Sequence, residues 1–340
     1  MRTKNIVLML LAVLPAFQAV AADASQSNET VAVHFAFSRS MFKDINQNDA
    51  VAAMKVYCKV IGDADGFDTS SGPIYLDGTH AIAEMLRLKK IDIISLGTEE
   101  YLALEDQGLS GPLLMATINH KVTEEYVLLA RDDSAIRSAG DLKGHSLIIL
   151  NDLRASLAAV WLEVYCREQG LGPANQVFTK VTTSTKATQV VLPVFFGKVD
   201  TCIATLSGWE VMGQLNPQVK KQLRAIAVSV PVVPGLACFR RDLPEAVKQL
   251  LLKSADESGA KPAFRQVMAL FKTEELSRQP DSALDGTRQL IATYHQLCAG
   301  TNQDLTSGLE AGLSQKASET KEKHMAADKQ PAQPANAPPP

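Results

Sequence analysis

Aromatic residues make up only 6% of this 340-residue chain, and nowhere are they interleaved with lysine and arginine. With a formal net charge of −3 and no basic patch, the composition excludes a surface built to neutralise nucleic-acid phosphates. No Gly-x-Ser-x-Gly, His-Glu-x-x-His or Walker-type glycine loop occurs. The local signatures of a hydrolase elbow, a zinc protease and a phosphate-binding loop are therefore missing. The six histidines (His34, His80, His120, His145, His295 and His324) are scattered, with no pair at metal-ligand spacing. Cysteine is scarce as well: five residues, none paired as CxxC, so neither a zinc nor a redox motif is present. These absences point away from an enzyme and imply no cofactor and no metal.

The chain also lacks a long apolar run. Its one hydrophobic stretch, Ile6 to Phe17 behind Arg2 and Lys4, is broken by Pro15 and falls short of the roughly 20 residues that a membrane span needs. Ala19-Val20-Ala21 then supplies the small residues of a signal-peptidase site, and the polar stretch Asp23 to Glu29 follows. The pattern predicts a signal peptide over residues 1–21, cleaved near Ala21; no cysteine at that point suggests a lipoprotein. At the other end aromatics disappear from Thr301 onward and the chain finishes KQPAQPANAPPP. Residues 300–340 read as a disordered Ala/Pro-rich tail. The body between them is long enough for one large domain or two of average size. In an exported chain an odd cysteine count leaves at least one thiol unpaired. Cys202 and Cys238 fall in expected strands and read as buried thiols, and a bridge between Cys58 and Cys298 stays open.

What the body does contain is a near-repeat. EMLRLKKIDIISLGTEEYL and VLPVFFGKVDTCIATLSGWE both run from an apolar helical segment through Lys, Ile or Val, and Asp into a short apolar strand. Each ends in a small polar turn with a glutamate close behind. Lys90-Ile91-Asp92 aligns with Lys198-Val199-Asp200. Around both copies apolar strands alternate with amphipathic helices, which predicts βαβ units and mainly parallel sheets flanked by helices. Two passages, near residues 112–131 and 223–239, carry strands with no helix between them. A chain that crosses twice between α/β units builds two lobes, the second inserted in the first: residues 30–118 and 230–299 for lobe 1, and 119–229 for lobe 2. Asp92 and Asp200 then start equivalent strands, where a carboxylate can accept from nearby backbone N–H groups.

On these pieces the body resembles the periplasmic solute-binding proteins of the phosphate, phosphite and phosphonate ABC-transporter type. The likeness is carried by GTHAIAEMLRLKKIDIISLGTEEYL, DDSAIRSAGDLKGHSLII, KATQVVLPVFFGKVDTC and FRRDLPEAVKQLLLKSA, in that order. It implies the two-lobed type II periplasmic-binding-protein fold, with two crossover strands, a periplasmic location and a monomer. It also implies a small anionic solute, phosphate- or phosphonate-like or a carboxylate, held between the lobes, closed upon by hinge bending and delivered to an ABC permease. The ligand loops depart from the usual pattern. Where relatives carry Ser-Thr-Ser this chain has LNDLRASLAAVWL, Lys186 replaces a histidine, and Gly97-Thr98 stands where Gly-Pro is usual.

In open α/β sheets ligands bind at the carboxyl ends of the strands. The candidate ligand residues are therefore Ser38, Arg39 and Ser40; Thr98 and Glu99; Asn151, Arg154 and Ser156; Thr183, Ser184 and Lys186; and Ser207 and Trp209. Helix starts bearing Ser or Thr favour anions through their free N–H groups, although the same residues serve as plain helix caps. Arg154 and Lys186 at helix starts oppose the helix dipole, which favours a ligand role for both, whereas Trp209 is the more ordinary packing residue. A second reading keeps the fold and replaces the permease with a membrane sensor, the pocket being degenerate.

Overall fold

The structure is a computed structural model that describes residues 30–299; the leader and the tail read from the sequence lie outside the described residues. In chain order the first lobe begins β1 (Phe35–Ser38), α1 (Gln47–Asp65), β2 (Ile74–Leu76), α2 (Gly78–Arg87), β3 (Ile93–Gly97), α3 (Thr98–Leu104) and β4 (Leu109–Ala116). The chain then crosses into β5 (Tyr126–Arg131), β6 (Ser146–Leu150), α4 (Ala158–Glu168), α5 (Ala174–Val177), β7 (Lys180–Ser184), α6 (Ala187–Phe195) and β8 (Thr201–Thr205). It continues through α7 (Leu206–Leu215), α8 (Pro217–Gln222) and β9 (Leu223–Val228), and returns by β10 (Gly235–Arg240). The last elements are α9 (Glu245–Ser258), α10 (Pro262–Leu270), β11 (Leu276–Gln279) and α11 (Asp285–Cys298).

Local chemistry accounts for the elements. Asn46 caps α1, its side-chain oxygen accepting from the Asn48 and Asp49 N–H groups. Ala50, Met54, Tyr57, Cys58 and Ile61 repeat at helical spacing and are all buried. Gly66, at φ 70°, ends the helix in the left-handed conformation that glycine adopts without strain. Along β3 the side chains alternate: Ile93 faces the core beneath α1, α9 and α10, while Ile94 and Leu96 face the core under α2 and α3.

The strands form two sheets, of order β11-β4-β10-β3-β1-β2 and β7-β6-β8-β5-β9. Parallel pairs are confined to the βαβ halves, β2-β1-β3 and β7-β6-β8. The crossing strands pair antiparallel, β4 with β10 and β5 with β9, because one of each pair leaves its lobe and the other returns. The sheets thus share one order around equivalent βαβ halves, and the near-repeat occupies equivalent places ahead of β3 and β8. Asp92 accepts from the His34 N–H at 2.9 Å, and Asp200 from the Ser146 N–H at 2.8 Å. Each carboxylate therefore ties its own strand to the start of the parallel neighbour.

One detail differs from the sequence reading. The segment expected with the first lobe divides: β11 pairs with β4, but α11 lays Leu290, Ile291, Tyr294 and Leu297 against the second core. Its apolar face is met by α4, where Arg167 also donates to the Leu297 carbonyl at 3.1 Å. The Cys58–Cys298 bridge that the sequence left open is not formed, and no disulfide joins cysteines among the described residues. Cys58 is on the buried face of α1 in the first lobe, whereas Cys298 ends α11 beside the second.

Candidate functional site

The crossing segments meet between the sheets through a reciprocal backbone pair, Glu124 N–H to Val232 O at 2.7 Å and Val232 N–H to Glu124 O at 2.9 Å. Beside this pair opens a cleft with about 840 Å³ of empty space, part of it open solvent. The first lobe lines it with Met41, Asp44, Ile45, Ser95, Leu114, Phe271 and Lys272. The second contributes Asp152, Leu153 and Arg154, and the crossings contribute Thr123, Glu124, Pro234 and Gly235. Gly235 allows a close approach: a Cβ there would stand 3.2 Å from the Leu96 carbonyl oxygen and 3.3 Å from the Met41 sulfur, tighter than most Cβ contacts.

At the first-lobe edge, Ser38 ends β1 and Gly97 ends β3, so their polar groups converge at the carboxyl ends of parallel strands. A protein carboxylate takes them all. Glu100, in the first turn of α3, accepts from Ser38 Oγ at 2.6 Å, Ser40 Oγ at 2.7 Å and the Gly97 N–H at 3.0 Å. Its spacing from Gly97 is that of the glutamate in a capping box. Thr98 donates its N–H to the Pro234 carbonyl at 3.2 Å, and its buried hydroxyl has no partner. Glu99 points to solvent, yet desolvation by nearby protein pushes its carboxyl above the usual range, against the pull of Lys43.

The second-lobe edge repeats the arrangement with a cation. Arg154, on the turn leading into α4, ion-pairs with the buried Glu124 and reaches Ser207 Oγ at 3.1 Å. Ser207 in turn donates to Glu124 at 2.9 Å. The Ala155 N–H, ahead of α4, goes to Asp152 Oδ1 at 2.9 Å. Burial pushes the Asp152 carboxyl up, and Asp44 adds to the shift. Asp44 is held by Lys272 at 2.9 Å. Ser156 Oγ approaches the Pro234 carbonyl at 3.4 Å, so Thr98 from one lobe and Ser156 from the other converge on one oxygen of the return crossing.

Of the thirteen candidate residues, Arg154 lines the cleft itself. Ser38, Ser40 and Thr98 cluster around Glu100 and Pro234, and Ser156 and Ser207 around the second-lobe edge. The others lie apart from these groups. Arg39 is exposed beside Phe42, Gln47 and Tyr75, in a different depression. Asn151 donates its N–H to the Ser184 carbonyl, Ser184 Oγ bonds Gln189 at 2.8 Å, Thr183 pairs with Ile149 within the sheet, and Lys186 is exposed. Trp209 is buried beneath Lys220, whose ammonium stands 3.4 Å from the ring centre. Glu100, Glu124, Asp152 and Asp44 were not among the candidates. The Gly97-x-x-Glu100 spacing was the readable signal; Glu124 carried none, lying between the two expected strands of the first crossing. Among the described residues no group of His, Cys, Asp and Glu is arranged to hold a metal.

The fold recurs among solved structures. A binding-protein component of an ABC phosphonate transporter from Pseudomonas aeruginosa is 17% identical, with a TM-score of 0.54 over 89% of this chain and 100% of the other. PhnD1 from Prochlorococcus marinus, solved with methylphosphonate, is 13% identical, with a TM-score of 0.52 over 76% and 96%. A Xanthomonas citri protein solved with chloride is 16% identical, with a TM-score of 0.57 over 79% and 99%. At these identities the likeness is one of fold. No curated protein sequence matches the chain. Residues 73–278 match the family described as "ABC transporter, phosphonate, periplasmic substrate-binding protein", and the chain belongs to that family of periplasmic binding proteins, which are not enzymes.

Proposed function

We propose that this chain is a solute receptor that encloses a small molecule between its two lobes and presents it to an ABC permease. The cleft carries the reading: the first sheet, the second-lobe turn with Asp152, Leu153 and Arg154, and both crossings wall it, so a bound solute touches both lobes at once. Closure then follows from differential affinity, because a ligand that contacts both walls binds the closed state better than the open one. The narrow junction, with its reciprocal Glu124–Val232 pair, is where hinge bending is expected. Native mass spectrometry of the mature chain, before and after mild denaturation, tests the proposal. The parent should release a small molecule that Ala116→Phe, at a residue of β4 that lines the cleft, fails to carry at an unchanged melting temperature. An empty parent that shows no thermal shift with any small solute would instead favour the second reading, a module acting on a membrane sensor. The internally satisfied polar groups beside the cleft lend that reading its support.

A further inference from the structure

In this chain two groups suited to grip an oxyanion, the serine pair beside Gly97 and the Arg154 guanidinium, are already engaged by carboxylates, while the Thr98 hydroxyl is not. An oxyanion is held by converging hydroxyls, free N–H groups and a guanidinium. At the first-lobe edge all three converging donors, two hydroxyls and one backbone N–H, give their hydrogens to Glu100. At the second, Arg154 and Ser207 both engage Glu124. Because each carboxylate is tethered to the fold, it competes at a high effective concentration that a free ligand cannot match. A doubly charged phosphonate would also have to approach Asp152, which accepts from the Ala155 N–H; of the two lysines on the cleft wall, Lys272 is held by Asp44 and Lys121 stands exposed.

Taking the cleft as the solute site proposed above, we infer that Glu100 and Glu124 are built-in occupants of the anion seats, and that the cleft selects a mainly apolar solute with a neutral or cationic polar end rather than a phosphonate. The remainder of the cleft fits such a body. Met41, Ile45, Leu114, Leu236, Phe271 and Leu276 line it, and Asp152 is an acceptor facing a ligand's hydroxyl or ammonium hydrogen. Specificity of this kind works by exclusion, a fixed repulsive group set against the wrong ligand.

Isothermal titration of the mature chain with methylphosphonate and with inorganic phosphate tests the inference on the parent, on Glu100→Ala and on Glu124→Gln. The second variant removes charge while keeping shape, in case the first fails to fold, and melting curves verify both. The parent should give no measurable heat, and at least one variant should gain about tenfold or more in affinity for one of the two anions. Binding by the parent as tight as by the variants would overturn the inference while leaving the solute-receptor reading intact. No gain in either folded variant would overturn it too, since the two carboxylates would then not be what keeps the anion out. The molecule released in native mass spectrometry decides independently: a phosphonate, phosphate, sulfonate or carboxylate contradicts the inference, and an amine or uncharged compound supports it. An empty parent counts against the receptor reading alone, and the two titrated variants still decide the inference.

Discussion

The two lobes carry equivalent strand ends and different chemistry at them. At the first-lobe edge a glutamate is surrounded by neutral donors, two serine hydroxyls and one backbone N–H. At the second a glutamate is held by a guanidinium that is 24% exposed, with one serine bridging the two. The difference teaches where stability and specificity divide. Hydroxyls deprived of a carboxylate can turn to one another or to water, whereas a half-buried guanidinium deprived of its counter-ion is left as an uncompensated charge.

The comparison breaks most sharply at Glu124. Glu124→Ala should cost about 3 kcal/mol in urea unfolding, the scale of breaking a largely buried ion pair by removing one partner. Glu100→Ala should cost about 1 kcal/mol, in the range of a lost helix cap, because Ser40 retains its 3.0 Å contact with Ser38. Equal losses for the two would erase the asymmetry. A smaller effect is expected at Asp152, whose carboxyl is raised by burial. A carboxyl with a raised folded pKa binds its proton more tightly in the native state, so its contribution is present at low pH and lost as pH rises through the folded value. Asp152→Asn keeps the acceptor for the Ala155 N–H and removes the ionisation. Its melting temperature should exceed the parent's at pH 7, and the gap should shrink below about pH 3.9, the ordinary aspartate value. A gap that does not change with pH would place the effect elsewhere. Reduction should change nothing: with no disulfide among the described residues, melting curves with and without dithiothreitol should superimpose.

Much of the fold was legible because periodicity and repetition are local. The helix over Ala50 to Ile61 shows in its spacing, and the twin Lys-x-Asp junctions mark equivalent strands whose carboxylates tie down their neighbours. The strand at Leu276–Gln279 was not legible, since its Leu-Ser-Arg-Gln lacks the β-branched and aromatic residues that announce a strand; pairing with β4 makes it one. The site was legible only in part. Strand ends pointed to Ser38, Ser40, Thr98 and Ser207, and the unfavourable dipole pointed to Arg154 and Lys186 alike, of which only Arg154 lines the cleft. What those donors bond to was hidden, because Arg154 and Glu124 are brought together by the crossing and not by local sequence. The candidates at Thr183, Ser184 and Lys186 satisfied the same strand-end rule and engage their own neighbours or solvent instead.

The central claim, that the chain supplies its own anions to the donors beside the cleft, is tested most directly by a double-mutant cycle on Glu124→Gln and Arg154→Met, read by urea unfolding. The account predicts a coupling of about 2 kcal/mol, with the double variant more stable than the sum of the single losses requires. Additive losses, with a coupling near zero, would mean that Arg154 does not depend on Glu124 and that its guanidinium is free for an anionic ligand.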